Sequence, residues 1–122
     1  MADNKQYVTQ AQDNGRVMIS EDVISSIATQ ALVDIEGYAG LSSNPAIELA
    51  DMIGKKSWGK GLKVSIGEKD DVTIECNVIM RYGHSVVAVA TAIQEAIVNA
   101  ISSMTGIQAI VVNVNVCGIV RQ

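Results

Sequence analysis

The sequence predicts an α+β fold: a two-layer sandwich with helices packed on one face of a mixed sheet, in the order β-α-β-(short α)-β-β-α-β. Three observations carry this. Val23 to Ile35 and Val86 to Met104 repeat apolar residues at three and four positions, the stripe of an amphipathic helix. Leu62 to Ile66, Val72 to Tyr82 and Gln108 to Ile119 alternate apolar with polar residues, as strands with one dry and one wet face do. A chain of 122 residues, 48% hydrophobic, is also long enough for one core without metal or disulfide staples.

Taken in order, residues 1–14 are polar and read as a flexible N-terminal tail, and 15–122 as a single domain. "RVMI" (Arg16 to Ile19) is a short β-prone run. Ser20 offers an N-cap, with Glu21 and Asp22 in the first turn where the helix dipole favours acids. Val23, Ile24, Ile27, Ala28, Ala31, Leu32 and Ile35 form the stripe of the helix that follows, and Gly37 is its expected stop. "YAGLSSN" (Tyr38 to Asn44) reads as a short strand entering a turn. Pro45 suits the first position of a short helix, "PAIELADMIG", with Ile47, Ala50, Met52 and Ile53 at helical spacing.

Next, "LKVSI" and "VTIECNVIMRY" flank the charged turn "GEKDD", an antiparallel hairpin. Alternation places Val72, Ile74, Cys76, Val78 and Met80 on the core face, and Thr73, Glu75, Asn77 and Arg81 on the wet face. After Gly83, the longest helix spans Ser85 to Met104. Its stripe is Val86, Val89, Ala90, Ile93, Ile97, Ala100, Ile101 and Met104, and Thr105-Gly106 supplies the C-cap. The last strand turns Ile110, Val112, Val114 and Val116 inward and Asn113, Asn115 and Cys117 outward.

A net charge of −4 opposes general binding to nucleic acid or anionic lipid. The N-terminus lacks the basic-then-apolar order of a signal peptide. The segment "VVAVATAIQEAIVNAI" is interrupted by Gln94, Glu95 and Asn99, short of the roughly 20 apolar residues of a bilayer span. The expectation is a cytoplasmic protein with no membrane span of its own.

One local patch departs from the acidic background. "GKKSWGKGLK" (Gly54 to Lys63) holds four of the nine Lys and Arg residues and the only Trp. It resembles a phosphate-binding loop, but a helix-like segment precedes it, a strand follows it, and Gly61 stands where Mg²⁺ needs a hydroxyl. Two readings stay open: a solvated glycine-lysine turn, or a contact surface made of Lys55, Lys56, Trp58, Lys60 and Lys63. For the latter the acidic net charge favours a protein partner over nucleic acid.

No reaction chemistry assembles. His84 is the only histidine and has no Cys or carboxylate at ligand spacing, so neither a metal nor another cofactor is expected. Cys76 and Cys117 fall on opposite faces of their strands, which disfavours a disulfide. Asp70 and Asp71 lie in a turn, and Glu21 and Asp22 cap a helix; neither pair is placed for acid–base work.

Several stretches in order, "EGYAGLSS" (Glu36 to Ser43), "GKGLKV" (Gly59 to Val64), "RYGHSVVAVATAIQEAIVNAISSMTGI" (Arg81 to Ile107) and "VNVNVCGI" (Val112 to Ile119), resemble the alkaline shock protein family. These are envelope-stress-response proteins common in Gram-positive bacteria. The resemblance covers about Arg16 to the end. It implies a small non-enzymatic cytoplasmic protein, held near the membrane through an anchor protein, that self-associates and serves cell-envelope homeostasis. It supplies no catalytic residue. The second reading is a nucleic-acid-binding or regulatory module using the lysine-glycine loop at 54–63, including control of fatty-acid synthesis, to which some relatives are linked; an enzyme is the third. The resemblance and the valine-rich "IVVNVNV" (Ile110 to Val116), a candidate sheet edge, together suggest a homo-oligomer, with the Trp58 loop as a second contact.

Overall fold

The computed structural model of the chain describes residues 7–42 and 61–121. The elements are β1 (Tyr7–Gln12), β2 (Gly15–Ser20), α1 (Glu21–Ala31), β3 (Tyr38–Leu41), β4 (Leu62–Ile66), β5 (Val72–Arg81), α2 (Val86–Thr105) and β6 (Ile110–Val120). The class is α+β with a mixed sheet, as the periodicities imply. The short helix expected over "PAIELADMIG" lies outside the described residues.

Strand β5 organises the sheet. Along one edge β6 runs parallel to it, from Val72↔Ile110 to Arg81↔Val120. The other edge is shared by two short antiparallel strands. β4 takes the first half (Ile66↔Val72 to Leu62↔Cys76) and β3 the second (Leu41↔Val78 to Tyr38↔Met80). At their join Asn77 bonds both ways: its N–H donates to Gly61 O at 2.8 Å and its carbonyl accepts from Ser42 N–H at 2.7 Å. Parallel strands need a crossover connection, and α2 supplies it.

Both helices start where their caps dictate. Ser20 Oγ accepts from Val23 N–H at 3.3 Å, and Ser85 Oγ from Ala88 N–H at 3.2 Å. At the far end of α2, Gly106 takes the left-handed conformation (φ 82°) and donates to Ser102 O at 2.9 Å. Helix α1 ends earlier than its predicted stop at Gly37. Past Ala31 the chain tightens into successive i→i+3 turns, Ile35 N–H to Leu32 O and Tyr38 N–H to Ile35 O. Ile35 thereby still packs on the core without being helical.

The core lies between sheet and helices. Ile24 and Ala28 from α1, Leu32 at its C-cap, and Ile93, Ile97 and Ile101 from α2 are fully buried against Ile66, Val72, Ile74, Cys76 and Val78. The ends of the predicted stripes overhang: Val23, Val86 and Met104 are exposed. Helix α2 is 20 residues long with Glu95 its only charge, enough by length and composition to cross a bilayer. The expectation that the segment falls short of such a span therefore fails on those two criteria. In the fold, its Ile93, Ile97 and Ile101 face is committed to the sheet.

Two further expectations are corrected. Tyr7–Gln12, assigned to the flexible tail, is a strand: β1 pairs antiparallel with β2 from Tyr7↔Ser20 to Gln12↔Gly15 around a two-residue turn at Asp13-Asn14. The hairpin is tied down because Val8 is buried in the core, Thr9 N–H donates to Asp70 Oδ1 and Gln10 Nε2 donates to Thr105 O. The second correction is Asn77, placed by alternation on the wet face but only 2% exposed. It lies where β3 and β4 meet, bonded through its backbone to Gly61 and Ser42.

Candidate interaction surface

The sheet face turned from the helices is a polar ladder. Lys63 on β4 is opposite Glu75 on β5, which is opposite Asn113 on β6. Asn113 Nδ2 donates to Glu75 Oε2 at 3.4 Å. In the next row Asn115 Nδ2 donates to Asn77 Oδ1 at 3.0 Å, while Asn77 Nδ2 is buried without a partner among the described residues. Short amides on adjacent parallel strands meet at matching register, so this row follows directly from "CNV" lying beside "VNV".

Beyond this ladder lies the outer edge of β6. Among the described residues β6 pairs only with β5. Natural edges are blunted by charge, proline, shortness or cover. Strand β6 is 11 residues long and has neither charge nor proline. Its one irregularity is an extra residue, Cys117, between Val116 (opposite Val78) and Gly118 (opposite Ile79). Val111, Ile119 and Val120 are exposed along it. Beside its end, Arg121 lies 5.5 Å from the centroid of the exposed Tyr82 ring, a cation–π contact. The expected edge strand is therefore an edge among the described residues.

The loop candidates divide. Lys55, Lys56, Trp58 and Lys60 lie outside the described residues. Lys63 is half-buried in β4, within the polar ladder. His84 is exposed at the entry to α2, against the backbone of Gly37: a Cβ on Gly37 would lie 3.1 Å from His84 Cγ and 2.7 Å from Val89 Cγ2. The histidine and the positive φ of Gly37 (92°) thus belong to one tight packing corner. Among the described residues no group of three or more His, Cys, Asp or Glu residues could hold a metal ion.

The thiols sit as alternation places them, Cys76 buried and Cys117 exposed, both free. Burial, with the neighbouring Glu75 carboxylate adding to it, pushes the Cys76 thiol up to about 11. It is the thiol of a core residue, held protonated. Tyr38, opposite Met80, is raised by burial and then by Cys76; Glu21 is raised by burial and then by Asp22.

Sequence comparison supplies the relationships. The model of the alkaline shock protein family, described as having a "cell envelope-related function", matches residues 9–121. The chain belongs to this family. The match starts inside β1, so Thr9 to Gln12 of the strand missed by sequence reading lie within the matched extent. Related chains include the uncharacterized protein YqhY of Bacillus subtilis (strain 168), 32% identical over 105 residues, covering 86% of this chain and 77% of the relative. The uncharacterized protein Spy1535 of Streptococcus pyogenes serotype M6 is 32% identical over 108 residues, covering 88% and 81%. The uncharacterized protein YloU of Bacillus subtilis (strain 168) is 28% identical over 107 residues, covering 86% and 88%. No solved structure matches the chain.

Proposed function

We propose that this alkaline-shock-family chain is a non-catalytic component of envelope-stress response and cell-envelope homeostasis, working through protein–protein contacts and self-association. It acts from the cytoplasm, held near the membrane by an anchor protein rather than by a span of its own. One observation carries the contact reading: the long outer edge of β6, free of charge and proline and unpaired among the described residues. An edge of this kind offers a row of backbone donors and acceptors to a further strand, and forming that pairing requires no reaction and no cofactor. The family's cell envelope-related description supports the setting.

Sedimentation of the full chain across concentration tests the reading. Concentration-dependent growth in mass is expected. A strict monomer at the highest soluble concentration, alone and with any protein captured from the native envelope fraction, overturns it.

A further inference from the structure

We propose that β6 pairs antiparallel with β6 of a second copy, about a two-fold axis through Val114, so that the two sheets join into one. This rests on the self-association reading above and adds to it the surface, the orientation and the register.

The backbone decides which groups are available. Val72 N–H donates to Ala109 O at 2.9 Å, with Val72 opposite Ile110. In a parallel ladder the bonding continues every second residue, so Val72, Ile74 and Cys76 bond to the odd-numbered residues of β6. The even-numbered residues, Val112, Val114 and Val116, turn their N–H and C=O groups outward. The Val112 carbonyl accepts from Gln94 Nε2 of α2 at 3.0 Å, which occupies one of its two lone pairs. No described residue pairs with the outward groups of Val114 and Val116.

The side chains choose the occupant. Residues 112–116 read Val-Asn-Val-Asn-Val, the same in both directions about Val114. A two-fold contact is self-complementary, residue i meeting j and j meeting i. An axis at Val114 sets Val112 against Val116 of the second copy, Val114 against itself, and Asn113 against Asn115. Amide then meets amide on the polar face and valine meets valine on the helix face, at every position. The even-numbered pairs exchange the outward backbone bonds. The Asn113–Asn115 pairs fall at non-hydrogen-bonded positions, where side chains come closest. Asn115 already donates to Asn77, so its Oδ1 is the acceptor left for the amide of the incoming Asn113. With no charge anywhere on β6, a two-fold axis brings no like charges together. Such an axis stands perpendicular to the sheet, so both α2 helices lie on one face of the joined sheet. A strand from a different protein would find the same backbone groups but no reason for the palindrome.

Paired cysteine cross-linking reads the register. Asn113→Cys and Asn115→Cys are made separately in a Cys117→Ser background, leaving only the buried Cys76. At a non-hydrogen-bonded pair the Cα atoms stand about 4.5 Å apart, within disulfide reach. Mixing the two variants under oxidation is expected to give a heterodisulfide joining position 113 of one copy to position 115 of the other, with at least fivefold less product from either variant alone. A dominant homodisulfide, 113 to 113 or 115 to 115, moves the axis and overturns the proposal. Absence of any cross-link in a sample that still sediments as an oligomer overturns it and leaves self-association standing. A monomer at every concentration overturns both. The second arm is Val114→Pro. It removes an outward donor and no bond to β5, so folding is expected to persist by circular dichroism while association weakens at least tenfold. Association unchanged in a folded Val114→Pro variant also overturns the proposal.

Discussion

Asn115 on β6 donates its amide to Asn77 on β5 across 3.0 Å, and Asn77 is 2% exposed with its own Nδ2 unpartnered among the described residues. Strand β6 is nearly uniform valine on its core face, so a slip by two residues would preserve its apolar pattern. Only the native register makes both polar contacts: a slip that set Asn77 opposite Asn113 would leave Glu75 facing Val111, and one that set Asn77 opposite Cys117 would lose the Asn77–Asn115 pair.

That role carries a stability cost that can be measured. A buried donor left without a partner costs about 1–3 kcal/mol, and replacing it by an apolar group of similar shape removes the cost. Asn77→Val is expected to raise the free energy of unfolding in urea by about 1 kcal/mol. Its amide partner Asn115 is at the surface and turns to water. Asn77→Asp is expected to lower stability by about 3 kcal/mol at neutral pH, since it buries a carboxylate with one donor. The reverse ranking would show that Asn77 Nδ2 has a partner after all.

Gly37 is a second point where one atom decides. It combines φ 92° with a position whose Cβ would come within 2.7 Å of Val89 Cγ2. Val89 is itself buried beneath the first turn of α2, so it has little room to give. Gly37→Ala should therefore destabilise by about 2–3 kcal/mol, conformational strain and overlap together. His84→Ala in the Gly37→Ala background relieves only the His84 side of the crowding and should recover less than half. Urea unfolding of the two variants checks this; a loss under about 0.5 kcal/mol for Gly37→Ala would contradict the corner.

Cys76 makes stability fall in alkali. Its folded-state thiol titrates at about 11, above the ordinary value of 9.0. Below pH 9 both states hold the proton and the group contributes no pH dependence. Between about 9 and 11 the unfolded chain loses the proton while the folded chain keeps it, so unfolding gains and stability falls, by at most about 1.4 kcal/mol per pH unit. Tyr38, also raised, adds to the upper part of that window. Cys76→Ala is expected to be less stable than wild type at pH 7 but to show a shallower decline from pH 9 to 11. Parallel slopes for the two proteins would remove Cys76 as the cause.

The parts of this molecule that were legible in its sequence are those written in local periodicity. Both helices, the Ser20 cap, the β4–β5 hairpin and the alternation of β6 follow from patterns within one element. The β1–β2 hairpin was not legible by that route. "YVTQAQDNGRV" has few apolar residues, and its strand character depends on Val8 reaching a distant core and on Gln10 meeting the end of α2, 95 positions away. The "NG" at its turn was the available signal. Alternation put Asn77 on the polar face, where it lies, but not its burial, because alternation gives the face of a residue and not its exposure. On the surface side, the edge status of β6 was anticipated, whereas the alignment of Asn113 and Asn115 with Glu75 and Asn77 needed the register.

Helix α2 tests the fold most directly, because its composition alone would also suit a lipid environment. The structure divides it into two unequal faces. Ile97 is fully buried at the centre of the core, and Val87 is 73% exposed. A core helix should be intolerant at the first position and indifferent at the second; a lipid-facing helix should resist charge at both. Ile97→Ala is expected to cost about 2–5 kcal/mol by the lost apolar contact and the cavity left behind. Val87→Lys should change stability by no more than about 0.5 kcal/mol in aqueous buffer and leave the chain as soluble as before. A lysine stem there can lie along the helix surface with its ammonium in water. Unfolding curves for the two variants decide the matter: a large loss at Val87, or none at Ile97, would mean that α2 packs by a different face from the one that builds this core.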